Sequence, residues 1–252
     1  MSALNILGQA PADEPADDFL GQPREISSHE FLTALVEGRK EDIAKMIVQD
    51  DRLVKSRDAA GASAVQLAVY HSLDEVLGVL LRSEVPLDLG EAAAVGDVDR
   101  VRELHEEARG AGEAAPEGFL DEPSGDGFPP LVLAATYGRL EVAKLLLESG
   151  ADPGSVAQNP TLSTPLHGAA CCADAGAAQA ITQLLLGAGA DPNAEQAGGF
   201  TPLHQAAVKG HGPVLKLLLG AGADPKAESD MGLTAGRLAA DRGHVAAMAL
   251  LP

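Results

Sequence analysis

The sequence predicts an all-α solenoid of about seven helix-turn-helix units, with projecting β-turn fingers between them and an irregular N-terminal half. Three observations carry that expectation. Thr201-Pro202-Leu203-His204-Gln205-Ala206-Ala207 echoes Thr164-Pro165-Leu166-His167-Gly168-Ala169-Ala170. The triplet Leu145-Leu146-Leu147 recurs as Leu184-Leu185-Leu186 and Leu217-Leu218-Leu219, and Gly-Ala-Asp-Pro follows each one, beginning at Gly150, Gly189 and Gly222. From Gly189 to Gly222 is 33 residues, and so is Gly210 to Gly243. The material suits a stack: 46% of residues are hydrophobic but only 3% aromatic, with no Trp, so the core is built from Ala, Leu and Val.

One unit can be read residue by residue. Thr201 is an N-cap, its hydroxyl able to accept from a free amide of the first turn. Pro202 stands at the first helical position, where a missing N–H costs nothing. Leu203, Ala206 and Ala207 form an apolar stripe at helical spacing. Gly210 supplies the left-handed residue that ends the helix. A second helix over 213–219 turns Val214, Leu217 and Leu218 inward, and Gly222 with Asp224-Pro225 leads into a turn. A hairpin of this kind leaves one apolar face uncovered, so it needs neighbours.

These residues and this period resemble the ankyrin repeat, whose consensus carries Thr-Pro-Leu-His and Gly-Ala-Asp segments. With that register, weaker copies emerge. Phe128-Pro129-Pro130-Leu131 through Leu147 forms one, and Thr234 through Leu251 forms a truncated last one. Ser63 through Leu81 and Glu91 through Leu104 are degenerate copies, and Phe31 through Ile47 is an N-terminal capping pair. Three departures stand out. Ser72 and Gly96 lie 24 residues apart, so a projecting turn is missing near Pro86. Gly96 to Gly138 spans 42, with the excess in 105–127, read as a long acidic loop. Thr164 to Leu186 is four residues longer than Thr201 to Leu219, placing an insertion at 171–177. Residues 1–26, crowded with Asp, Glu and Pro, are expected to be a disordered acidic tail, and 27–252 the repeat domain. The degenerate first copies and long loop look similar to ankyrin-repeat proteins of bacterial type.

Composition narrows the function. With 18 Lys and Arg against 37 Asp and Glu, a net charge of -19 disfavours nucleic acid and anionic membranes alike. No 18-residue apolar stretch occurs, and the first ten residues lack a basic start and a long apolar run. The two cysteines, Cys171 and Cys172, are adjacent, which excludes a disulfide framework and points to a reducing, cytoplasmic setting. Packing is the plainer role for them, redox sensing the sharper one, with no basic neighbour in sequence to lower a thiol pKa.

No catalytic, cofactor or metal site is expected. The seven histidines show no pair at metal spacing with a third ligand nearby. In the resemblance, His167 and His204 bond neighbouring backbone and tie one turn to the next, while His211 and His244 read as ordinary, partly exposed residues. The Gly-Ala-Gly-Ala strings at Gly187 and Gly220 follow helices, whereas a phosphate loop follows a strand. What remains is a surface. In ankyrin stacks partners dock on the projecting turns and the exposed inner helices, the concave side. In this register those positions are Tyr70, His71, Asp126, Phe128, Thr136, Tyr137, Leu162, Ser163, Phe200, Val208, Lys209, Met231, Leu233 and Arg242. Tyr70, Phe128, Tyr137 and Phe200 are aromatic, the usual interface anchors, although Phe128 and Phe200 suit turn packing equally well. The expectation is a monomeric, non-catalytic adaptor or inhibitor that binds another protein. Its rival is an acidic decoy that meets a basic protein through the tail and the 105–127 loop.

Overall fold

The computed structural model describes residues 26–83, 86–110 and 115–252, and among these the helices form seven consecutive pairs. The first pair is α1 (Ser28–Val36) with α2 (Lys40–Gln49), and the second α3 (Ala64–Tyr70) with α4 (Asp74–Leu81). The third is α5 (Leu89–Val95) with α6 (Val98–Arg109), and the fourth α7 (Pro130–Thr136) with α8 (Leu140–Glu148). Then come α9 (Pro165–Cys171) with α10 (Ala175–Gly187), and α11 (Pro202–Lys209) with α12 (Gly212–Gly220). The last is α13 (Ala235–Asp241) with α14 (Val245–Met248). Odd-numbered inner helices stack on one another in a row, and even-numbered outer helices form a second row behind them.

Each inner helix is short, so its end groups decide whether it forms. Ser63 caps α3 and receives the N–H of Gln66, whose side-chain oxygen accepts from the Ser63 N–H at 2.9 Å. Asp88 and Glu91 repeat this reciprocal arrangement on α5. In α9 and α11 the third helical residue is histidine, and His167 Nδ1 and His204 Nδ1 accept from the Thr164 and Thr201 N–H groups at 3.3 and 3.1 Å. Packing completes what the caps begin. Leu131, Leu146, Leu166, Ile181, Leu203 and Leu218 are buried, and the Ala-Ala pairs at 134–135, 169–170 and 206–207 bring the inner helices close together. Gly168 sits where even a Cβ would lie 2.6 Å from Thr136 Oγ1 and 3.0 Å from the Val132 carbonyl, so α7 and α9 meet there only through glycine.

Fingers precede five of the units. Bridges close them at Arg57–Ser63, Gln196–Phe200 and Glu228–Thr234. Elsewhere Ser124 N–H bonds the Phe128 carbonyl at 3.0 Å, and Ala157 N–H bonds Ser163 at 2.9 Å. Neighbouring fingers are joined by backbone bonds: Gln158 to Gly127 at 2.7 Å, Ala197 to Thr161 at 2.9 Å and Asp230 to Gly198 at 2.9 Å. Among the described residues the third unit shows no finger, as its short spacing predicts: α4 ends at Leu81 and α5 begins at Leu89. The fingers of the second and fourth units close on each other across that gap. Gly61 and Gly125 touch there, and a Cβ on Gly61 would fall 2.1 Å from the Gly125 carbonyl oxygen.

This gap divides the core. Phe31, Leu35, Ile43, Val65 and Leu80 belong to a cluster confined to the first two units. A larger cluster runs from Ala92 in α5 to Ala247 in α14. Among the buried residues the small set Val69, Ala94 and Leu133 spans the seam, partly buried Leu87 packs on both clusters, and α4 and α6 barely meet behind it.

One sequence expectation needs correction in detail, and another gains a form. The acidic loop expected over 105–127 is shorter, because residues 105–109 are the last turns of α6, and a short 3-10 turn, Phe119–Asp121, lies within the remainder. The hydrophobic spacing of Val98, Val101 and Leu104 carries that helix on through a charged face laced by Arg100–Glu103 and Arg100–Glu107 pairs. The insertion expected at 171–177 lies there and is taken up as helix. Asp174 caps the Ala177 N–H, and the extra residues add a helical turn to the start of α10. The expected tail, 1–26, lies outside the described residues apart from Ile26, as do 111–114 within the loop.

Candidate protein-binding surface

The exposed ends of the inner helices and the tips of the fingers form two adjacent rows along the stack. At the C-terminal ends of inner helices stand His71, Thr136, Tyr137, Val208, Lys209 and Arg242. On the fingers stand Asp126, Phe128, Leu162, Ser163, Phe200, Met231 and Leu233. His71, Leu162, Lys209, Met231 and Arg242 are exposed, Met231 at 68%, and the remainder of both rows is half-buried.

Several of these side chains already have structural partners. Phe200 packs edge-on against the His204 ring at 5.7 Å, and its carbonyl accepts from His167 Nε2 at 2.9 Å. The Leu233 carbonyl takes the same bond from His204 at 2.9 Å, Ser163 Oγ donates to Gln196 Oε1 at 3.0 Å, and Thr136 Oγ1 donates to Val132. Because Nε2 faces a carbonyl in both histidines, the proton sits on Nε2 and Nδ1 is left to accept. Burial, reinforced for His167 by the nearby His204, holds both imidazoles neutral, with His167 lowered to about 4.

The centre of the surface is a cluster that spans the seam. Tyr70 of α3 and Tyr137 of α7 stack with centroids 5.7 Å apart and planes 8° from parallel, although they belong to units two apart. Only the small Ala94 and Val95 of α5 stand between their helices, and no third finger intervenes. Asp126, from the tip of the fourth unit's finger, accepts from Tyr70 Oη, from Gln66 Nε2 at 3.1 Å and from Ser124 Oγ at 2.6 Å. Burial, and then the Asp126 bond, raises the Tyr70 hydroxyl well above the ordinary phenol range, and burial raises Tyr137 likewise. Sequence reasoning placed Tyr70, Asp126 and Tyr137 on one surface but missed Gln66 and Ser124. Gln66 was legible: it occupies the third helical position, where His167 and His204 stand in their units.

A second series escaped the sequence reading altogether. In three units the residue after the glycine that follows the inner helix reaches back to the preceding unit. Arg139 Nε donates to Ala94 O, His211 Nε2 to Cys172 O and His244 Nε2 to Val208 O, each at 2.9 Å. His211 and His244 are therefore inter-unit ties rather than ordinary surface residues, and the shared Gly-Arg or Gly-His step was the signal. Cys171 and Cys172 are free; Cys171 Sγ donates to Gly168 O at 3.3 Å, Cys172 is buried, and burial raises both thiols. A raised thiol is a poor nucleophile, which fits packing. Among the described residues no group of three His, Cys, Asp or Glu is placed to hold a metal ion, and no helix is long and apolar enough to cross a membrane.

The fold and its surface define a helical-repeat protein-interaction module. Comparison with protein families gives it a name: the model for ankyrin repeats (3 copies) matches residues 89–193 and 166–251, and the chain belongs to the ankyrin-repeat family. Among curated proteins it is similar to a zinc finger CCCH domain-containing protein 56 of Arabidopsis thaliana, 37% identical over 87 residues. That match covers 34% of this chain and 12% of the plant protein, so it concerns a segment of each.

Proposed function

We propose that this ankyrin-repeat chain is a monomeric, non-catalytic adaptor or inhibitor that binds one protein partner across its fingertips and inner-helix ends, the concave side. The observation that carries the reading is the pair of adjacent rows, in which exposed Lys209, Met231 and Arg242 continue a line begun by Tyr70, His71 and Tyr137. The perturbed titratable groups support it from the other side. The two histidines and Tyr70 spend their polar atoms on other units of the stack, which leaves recognition rather than proton transfer as the task of this surface. Two free thiols suit a reducing, cytoplasmic setting.

The test uses side chains that hold nothing else in place. A chain carrying Lys209→Glu, Met231→Asp and Arg242→Glu keeps its core and its caps. We expect it to keep the thermal transition of the unchanged chain and to lose at least tenfold in affinity for the partner recovered by affinity capture. Undiminished binding would refute the assignment of this surface. Tyr137→Ala and Phe200→Ala are poorer probes, because each also removes a packing contact inside the stack.

A further inference from the structure

The Asp126 cluster is chemically incomplete in one respect. Its carboxylate is half-buried between the fourth unit's finger and α3, and its three hydrogen-bond donors, Tyr70, Gln66 and Ser124, are all neutral. Among the described residues no Lys, Arg or His forms an ion pair with it. Arg57, on the second unit's finger, is committed to Asp88 at 3.0 Å and to the Gly61 carbonyl at 3.0 Å. Arg139, on the other side, is held by Ala94 O. A carboxylate withdrawn from water gains most from a cation that arrives with its own hydrogen bonds. Beside it stand the stacked rings of Tyr70 and Tyr137, half-exposed. The Tyr137 hydroxyl has no hydrogen-bond partner among the described residues.

We propose that this cluster is the receptor for an arginine side chain of the partner: a guanidinium that pairs with Asp126, donates to the Tyr137 hydroxyl and lies against the tyrosine rings. A planar guanidinium fits better than an ammonium, because it stacks on an aromatic ring while its N–H fork meets the carboxylate in the plane. The site exists because the third unit lacks a finger, which lets Asp126 reach the second unit and lets two tyrosines from alternate units touch. The proposal rests on the concave-face reading and gives it a specificity: the partner segment crossing the seam carries arginine.

The composition makes the test clean. The chain has two tyrosines, both in this site, and no Trp. The full chain with 13C-labelled tyrosine rings is titrated with acetyl-Gly-Arg-Gly-amide, and in parallel with the same peptide carrying citrulline, which keeps the planar urea but not the charge. We expect saturable shifts of both ring signals with arginine, at least tenfold weaker binding with citrulline, and a similar loss in Asp126→Asn. The comparison of the two peptides is made on the unchanged chain, so it holds even where the variant is too unstable to read. Silent rings, or equal responses to both peptides, overturn the arginine site. If the rings stay silent while the Lys209, Met231 and Arg242 variant still loses its partner, the concave reading stands and this one falls.

Discussion

Acid should loosen this stack from its histidines outward, and His167 sets the scale. It is 1% exposed, donates through Nε2 to Phe200 O and accepts through Nδ1 from Thr164, so a second proton would place a charge where burial keeps water away. Its folded pKa lies at about 4 against an ordinary 6.5. The sign follows directly: between those values the unfolded chain binds the proton and the folded chain does not, so stability is lost as pH falls from about 6.5 toward 4. From pH 7 to pH 5 this one imidazole removes about 2 kcal/mol. Urea unfolding at both pH values, at constant ionic strength, measures it against His167→Gln. Glutamine keeps a cap at the third helical position, as Gln66 does in α3, but does not titrate. The carboxylates contribute nearly equally to both chains and cancel. The variant should lose about 2 kcal/mol less than the unchanged chain over this interval, and the His167→Gln/His204→Gln chain less again, since burial lowers His204 too. Equal losses in the unchanged chain and His167→Gln would refute the reasoning.

Three further outcomes follow from packing. Gly61→Ala forces a Cβ into the Gly125 carbonyl at a φ of +91°, and should cost about 2–3 kcal/mol in urea unfolding, whereas Gly220→Ala, with open space around it, should cost nothing. Leu146→Ala, in the fully buried centre of the large cluster, should cost about 2–5 kcal/mol by the same measurement; a smaller loss would mean that the stack collapses around the void. The divided core predicts two tiers of hydrogen exchange: amides of α1 to α4 should exchange faster than those of α7 to α11, and Tyr70→Phe should widen the difference by releasing Asp126. Uniform protection along the stack would show that the seam is mechanically silent.

The sequence by itself determined the architecture. A period of 33, caps at Thr164 and Thr201 and glycines after each helix are local statements, and in a solenoid local statements nearly suffice, because each unit packs only on its neighbours. The missing third finger was legible for the same reason, as a short interval between landmarks. What the tertiary structure decided lies between units that are not adjacent. That Asp126 crosses a gap to Gln66 and Tyr70, and that Tyr70 stacks on Tyr137, depends on how far two fingers lean when a third is absent. No spacing along the chain encodes that distance. The ties from His211 and His244 to Cys172 and Val208 were hidden for a related reason. A histidine beside a glycine reads as surface until the preceding helix end, 36 or more residues away in sequence, is brought within reach of its ring.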